Sequence, residues 1–166
     1  MPAAIAFVVV TLIHLGAQAT APGGVLADLT QVLLVPVLAW FLVATTPAPP
    51  SRPVRLALLA LGLSWLGDTL PRFADEGSTT GLALMLGCYL LAQVVYAVVL
   101  RGTGLDRVAR SGVVALVVFD VLVALRALAD VELPLHAVWV MLAYVLGQAL
   151  LVAAIAHQDR ARPEAA

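Results

Sequence analysis

The uncharged stretch from Gly77 to Leu100, GSTTGLALMLGCYLLAQVVYAVVL, decides the fold class of this chain. A bilayer core about 30 Å thick is crossed by roughly 20 apolar residues in a helix. Three further stretches without Asp, Glu, Lys or Arg have similar lengths, and they cover residues 1–27, 29–51 and 133–158. Their apolar runs are continuous, whereas membrane-spanning strands alternate polar and apolar residues. The sequence therefore predicts an all-α, polytopic transmembrane helix bundle.

The composition excludes several classes of protein. Hydrophobic residues make up 63% of the 166 residues, and charged residues only 11%. Soluble domains usually carry about 25% charged residues. The net charge of −1 creates no large field of one sign. We therefore exclude a soluble globular domain, a disordered chain and a nucleic-acid-binding protein, and expect no nucleic-acid partner. The single cysteine, Cys88, excludes an internal disulfide.

The distribution of charges and of proline and glycine predicts a single membrane domain over residues 1–166 with about six helices. Connections rich in these two residues or in polar residues occur at 21–24, 45–53, 75–78 and 101–104, and a short one at 130–134. Proline ends helices because it lacks the amide hydrogen and clashes with the preceding turn. The predicted helices lie near 3–19, 25–45, 54–71, 80–100, 111–129 and 133–156.

The arginines predict the orientation of the bundle. The side shared by both termini carries Arg52, Arg55, Arg101, Arg107, Arg110, Arg160 and Arg162, and the other side carries Arg72 and Arg126. Cytoplasmic loops of membrane proteins hold the excess of Lys and Arg. We therefore expect both termini in the cytoplasm, in an integral protein of the bacterial cytoplasmic membrane.

Two aspartates lie inside predicted spans, where a charge costs at least about 2.5–3.5 kcal/mol. Asp68 lies about 20 Å along its helix from Arg55, and Asp120 about 15 Å along its helix from Arg110, at 1.5 Å per residue. If these helices pack at about 8–10 Å, the two carboxyls can flank one small reacting group. The alternative is that each aspartate only hydrogen-bonds to a neighbouring helix.

Other polar side chains form narrow stripes at helical spacing, and we expect them to converge on an internal cavity because they cannot face lipid cheaply. They are Tyr89, Gln93 and Tyr96 in the fourth helix, Tyr144 and Gln148 in the sixth, and Asp28 and Gln31 in the second. The segments YLLAQ at 89–93 and YVLGQ at 144–148 resemble one another. Ordinary hydrogen bonding between helices is the alternative for the stripes, and Asp28 can instead reach the headgroups.

The sequence offers little for metal or cofactor chemistry. A catalytic zinc site usually needs three protein ligands, and His14 with Asp68 and Asp120 is the one combination within the spans. An isolated, hydrogen-bonded histidine is the favoured alternative. The chain contains no G-x-S-x-G, P-loop or dinucleotide motif. We expect neither a metal nor a cofactor.

Several segments resemble, in order along the chain, motifs of the YhhN-like lysoplasmalogenase family. The segment LSWLGDTL at 63–70 is similar to its LGD-x-L motif, and GVVALVVFDVLVALR at 112–126 to its second aspartate helix. The segments TQVLLVP at 30–36, AQVVY at 92–96 and YVLGQAL at 144–150 resemble three further motifs. The chain differs at Gln31, Gln93 and Phe119, where the family has lysine, histidine and serine, and it is shorter by about two helices.

The resemblance implies hydrolysis of the vinyl ether bond of a lysoplasmalogen to a fatty aldehyde and a glycerophospho-alcohol. Asp120 would protonate the substrate and Asp68 would stabilise the cation and activate water, or the reverse. The substrate-binding residues would be Tyr96, Gln93, Tyr144, Gln148, Gln31 and Asp28. The expected partners are a lysophospholipid substrate and membrane lipid. The alternatives are a non-catalytic lysolipid binder or small transporter of the same fold, and a structural subunit.

Overall fold

The computed structural model describes residues 2–74, 78–103, 106–129 and 131–161. These residues form six α-helices and a short 3₁₀ helix, and the described ranges contain no strand. The helices are α1 (Pro2–Thr20), α2 (Val25–Thr45), α3 (Arg52–Thr69), α4 (Thr79–Thr103), α5 (Arg107–Ala129) and α6 (His136–Arg160), with the 3₁₀ helix at Leu70–Phe73. All six are long and apolar enough to cross a membrane. The predicted all-α architecture with six potential spans is confirmed.

Capping residues explain why two helices begin earlier than the apolar pattern predicts. The Ser51 hydroxyl accepts a hydrogen bond from the Val54 N–H at 3.4 Å, so α3 begins at Arg52 rather than near residue 54. The Asp106 carboxylate accepts one from the Ala109 N–H at 2.7 Å, so α5 begins at 107 rather than near 111. A side-chain oxygen at this position satisfies an amide that has no partner within the helix.

The last helix begins later than predicted, at His136 rather than near residue 133. Leu135 just before it has a φ of 56°, in the left-handed region, so the helix cannot extend backwards through it. Residues 75–77 and 104–105 of the predicted turns, Asp130, and Arg162 lie outside the described residues.

The helices pack mainly as three consecutive hairpins, α1–α2, α3–α4 and α5–α6, and α6 also contacts α1, α2 and α3. The closest approach is between α5 and α6. A Cβ added at Gly112 would lie 2.9 Å from Leu151, and one added at Gly147 would lie 2.6 Å from Leu116. The two glycines therefore allow helix backbones to meet, which is a common device in membrane bundles.

Polar side chains add bonds between the first three helices. The Trp65 indole of α3 donates to the Val32 carbonyl of α2 at 3.0 Å. His14 of α1 is completely buried, and its Nδ1 lies 2.8 Å from the Thr30 hydroxyl of α2. Bonds of this kind satisfy polar groups that cannot reach water inside a bilayer.

At one end of the bundle, the ends of α1, α3 and α5 lie near the starts of α2 and α6. Gln18 at the end of α1, Asp28 at the start of α2, Arg126 at the end of α5 and His136 at the start of α6 line one cavity, and Arg72 after α3 borders an adjoining one. Consecutive helices therefore run in opposite directions. We call this the vestibule end, and α1 begins and α6 ends at the opposite end.

Candidate functional site

The buried carboxylate of Asp68 is the centre of the largest polar cluster that the described residues form. Gln31 Nε2 donates to Asp68 Oδ1 at 3.0 Å, and the Tyr89 hydroxyl donates to the same oxygen at 2.7 Å. The Tyr144 hydroxyl donates to Oδ2 at 2.8 Å. Four helices thus supply one residue each, and the side chains of α2, α4 and α6 all point at α3. An ionised carboxylate accepts hydrogen bonds only, so three donors suit it.

The residue before Asp68 explains how Tyr89 comes so close. A Cβ added at Gly67 would lie 2.8 Å from Cε1 and 3.0 Å from Cδ1 of the Tyr89 ring. Any larger side chain at this position would therefore displace the ring. The glycine of the LGD segment therefore allows the tyrosine of α4 to approach α3 closely and to reach the carboxylate.

Arg72 closes the cluster on the side of the vestibule. Its Nε donates to the Asp68 backbone carbonyl at 3.0 Å, and its Nη2 donates to Gln31 Oε1 at 3.2 Å. Its Nη1 lies 2.6 Å from Asp28 Oδ1, and both partners of this ion pair are partly exposed. Gln31 therefore bridges the guanidinium and the buried carboxylate, and Asp28 sits at the mouth.

Two adjoining cavities form the vestibule. One of about 870 Å³ is lined by Asp28, Gln31, Asp68, Arg72 and Tyr89 among others. The second, of about 890 Å³, shares Asp28 and Gln31 with the first and extends towards α5 and α6. Its walls combine polar groups at the rim with apolar side chains below them: Leu82, Met85, Val123, Val140 and Met141. This space suits a molecule with a polar head and an apolar body.

A second set of polar side chains lies deeper in the bundle. Gln93 Nε2 donates to Asp120 Oδ2 at 2.6 Å. The Tyr96 hydroxyl donates to Gln148 Oε1 at 2.6 Å, and Gln148 Nε2 donates to the Ser64 hydroxyl at 2.9 Å. Both predicted stripes, of α4 and of α6, therefore turn inwards and meet.

The space between these side chains is very small. A cavity of about 10 Å³ is lined by Ser64, Gln93, Tyr96 and Gln148 together with Tyr89 and Tyr144 of the Asp68 cluster. Such a volume is about that of a single water molecule. The stripes thus converge as predicted, but the volume between them does not admit a lipid.

Asp68 and Asp120 do not line the vestibule together, and they bond to different residues. Among the described residues they share no hydrogen-bond partner, and Asp120 is absent from the walls of the cavity that Asp68 lines. The physical reason is the packing order, since α3 packs on α2, α4 and α6, whereas α5 packs chiefly on α6. Similar depth along two helices therefore does not make their side chains neighbours.

The predicted substrate-binding residues divide between the two sets. Gln31, Asp28 and Tyr144 belong to the Asp68 cluster or its mouth, and Gln93, Tyr96 and Gln148 belong to the deeper set. Arg72 was not predicted as a site residue, although it follows Asp68 by four residues, which is one helical turn. Tyr89 was predicted to face an internal cavity, but not to bind substrate or to contact Asp68.

His14 does not join the aspartates. Its ring contacts the Thr30 hydroxyl, and its Nε2 lies 3.5 Å from Gln18 Nε2. Within the part of the chain that the structure describes, no three His, Cys, Asp or Glu side chains are grouped so as to hold a metal ion. The zinc combination considered above therefore has no geometric basis there.

Comparison of the chain with protein-family models, with curated proteins and with solved structures finds no match.

Proposed function

We propose that this protein is a membrane hydrolase that cleaves the vinyl ether bond of lysoplasmalogens, releasing a fatty aldehyde and a glycerophospho-alcohol. The observation that carries the proposal is the Asp68 carboxylate, held by two tyrosines in the wall of an amphipathic vestibule that has Arg72 near its mouth. The segment that contains Asp68 is also the one most similar to the lysoplasmalogenase LGD motif.

One carboxyl is sufficient for this chemistry. In its acid form Asp68 gives its proton to the β-carbon of the vinyl ether, which leaves an oxocarbenium ion beside the new carboxylate. Water then adds to the cation, and its released proton returns to Asp68. The resulting hemiacetal collapses to aldehyde and alcohol. The proposal therefore assigns both proton transfers to Asp68 and does not require Asp120.

The tyrosines suit a carboxyl that changes its protonation state. A hydroxyl donates one hydrogen bond and accepts others, and it rotates to do either. Tyr89 and Tyr144 can therefore donate to the carboxylate and accept from the acid without leaving their places. Arg72 would bind the substrate phosphate, since a guanidinium matches a phosphate with paired donors.

The proposal includes a location. The starts of α3 and α5 and the end of α4 carry five of the nine arginines and lie opposite the vestibule. The excess of positive charge supports an orientation with both termini in the cytoplasm of a bacterium. The vestibule would then open towards the outer face of the cytoplasmic membrane.

The test is aldehyde release by the purified protein in detergent. We expect release from a lysoplasmenyl lipid and none from its saturated-ether counterpart, which lacks the protonatable double bond. The Asp68→Asn variant should lose activity by a factor of about 100 or more. Asp106→Asn, outside the vestibule, is the matched control. Absence of aldehyde from the wild type, or full activity of Asp68→Asn, would contradict the proposal.

The second candidate is a non-catalytic lysolipid binder of the same fold. The three donors already bound to Asp68 favour it, because they satisfy the carboxylate without a substrate. Isothermal titration with a saturated lysophospholipid separates the two functions. Binding of this lipid together with no aldehyde from the vinyl ether substrate would favour the binder.

A further inference from the structure

A further cavity, separate from the vestibule, lies between α4 and α5 at the opposite end of the bundle. Its volume is about 390 Å³, and its walls come from α4, α5 and one residue of α6. These two helices pack far less against each other than each packs against its hairpin partner. We call this space the α4–α5 cleft. It extends along α4 from Gln93 to Arg101, which is about 12 Å at 1.5 Å per residue.

The chemistry of the cleft changes along its length. The middle is lined by apolar side chains: Ala97, Leu100, Val113, Leu116, Val117 and Leu151. Gln93 and Tyr96 close its inner end, where their polar groups are bound to Asp120 and Gln148. Arg101, in the last turn of α4, is exposed at the other end. The cleft is therefore an apolar slot with one positive charge at its mouth.

We propose that the α4–α5 cleft binds an anionic phospholipid, with one acyl chain between the helices and the phosphate at Arg101. An apolar slot of this size suits an acyl chain, because its aliphatic lining can make van der Waals contacts along the chain. Basic groups at the membrane surface attract anionic lipid, and basic sites between transmembrane helices bind anionic headgroups. The described residues offer no ion-pair partner to Arg101.

The charge pattern favours a lipid over a helix of another protein. None of the residues that line the cleft is acidic, and Arg101 is the one that carries a charge. An anionic amphiphile is complementary to both parts of the site. This lipid site is separate from the vestibule, so it does not depend on the proposed hydrolysis.

Native mass spectrometry of the full protein, released from detergent, tests the site. The probes are phosphatidylglycerol and phosphatidylcholine with identical acyl chains. We expect the wild type to retain phosphatidylglycerol preferentially, and Arg101→Gln to bind it about fivefold more weakly. Arg52→Gln is the matched control, because it removes a charge at the same end of the bundle but outside the cleft.

A second variant tests the apolar part without changing charge. Ala97 is exposed in the cleft, so Ala97→Leu fills the slot with little effect on folding. We expect it to weaken phosphatidylglycerol binding while Arg101 remains in place. Equal retention of the two lipids by the wild type, or equal losses for Arg101→Gln and Arg52→Gln, would overturn the proposal. A dimer that occupies the cleft with a second copy would also overturn it.

Discussion

Tyr89 and Tyr144, on different helical hairpins, donate hydrogen bonds to the two different oxygens of one carboxylate, that of Asp68. Their ring centroids lie 5.8 Å apart, and Phe119 packs against both rings at 5.2 Å. The carboxylate of α3 therefore joins α4 and α6, and the aromatic side chain of α5 covers the junction. The residues that bind the Asp68 carboxylate are therefore also the ones that pack α3, α4, α5 and α6 together.

The tyrosine hydroxyls should differ in their contribution to stability. Hydrogen bonds to charged groups contribute about 1.5–3 kcal/mol, and those between neutral groups about 0.5–1.5 kcal/mol. At a pH at which the Asp68 carboxyl is ionised, we therefore expect Tyr144→Phe to lower the free energy of unfolding more than Tyr96→Phe, whose hydroxyl is bound to the neutral Gln148. Denaturant unfolding in detergent measures both values. Equal losses would indicate that the Asp68 carboxyl is neutral in the folded protein.

Gly67 should tolerate no side chain, although it lies in a helix. In Gly67→Ala the new methyl group would overlap the Tyr89 ring, and overpacking of this kind costs about 1–3 kcal/mol. Gly62 in the same helix is the control, because a Cβ there meets nothing within 4 Å. Gly62→Ala should stabilise the helix by up to about 1 kcal/mol. A lower melting temperature for Gly67→Ala and a higher one for Gly62→Ala would verify the contact. Similar shifts of the melting temperature for both variants would contradict it.

Arg72 should not be replaceable by lysine. Its three nitrogens contact Asp28, Gln31 and the Asp68 carbonyl at once, whereas a lysine ammonium is a point charge without this fork. We expect Arg72→Lys to weaken the binding of a lysophospholipid about tenfold, since one charge-assisted bond is lost. Calorimetric titration gives the affinity. The control is Arg126→Lys on the opposite rim, whose 3.8 Å contact with Glu132 is loose and exposed. Unchanged affinity of Arg72→Lys for the lysophospholipid would show that binding does not need the paired donors of the guanidinium.

Asp106, in the α4–α5 connection, should make stability depend on pH. Hydrogen bonds from the Ala109 N–H and the Gln158 amide lower the pKa of this carboxyl below its usual value. A lowered pKa means that the folded state favours the carboxylate, so the stabilisation is present above the unfolded pKa of about 3.9. It is lost as the pH falls through the folded pKa. The melting temperature of the wild type should therefore exceed that of Asp106→Asn at pH 7, and the two should converge as the pH falls below the folded pKa of Asp106. A difference that stays constant with pH would contradict the assignment.

Much of the architecture could be predicted because charge avoidance in a bilayer is a strong constraint. The gaps between charged residues predicted six helices, and helical spacing predicted that the side chains of Tyr89, Gln93 and Tyr144 turn inwards. The side chains that surround Asp68 and Asp120 could not be predicted in the same way. The rise per residue gives depth along a helix, but the neighbours of that helix depend on packing that a single sequence does not reveal.

Gln31 illustrates the same limit at the level of one residue. The lysoplasmalogenase motif that this segment resembles has a lysine there, so the sequence suggests a lost positive charge. In the structure Gln31 of α2 links the Asp68 carboxylate to the guanidinium of Arg72, which lies in the 3₁₀ helix after α3. A single sequence does not reveal this link, since Gln31 and Arg72 lie far apart in the chain.

The central position of α6 has a consequence for biosynthesis. This helix contacts α1, α2, α3 and α5, yet it is the last of the six to leave the ribosome. The first two hairpins can therefore form during synthesis before the helix against which they both pack is available. Asp68 therefore spends that interval without Tyr144, and the completed active-site candidate is a product of the final step of assembly.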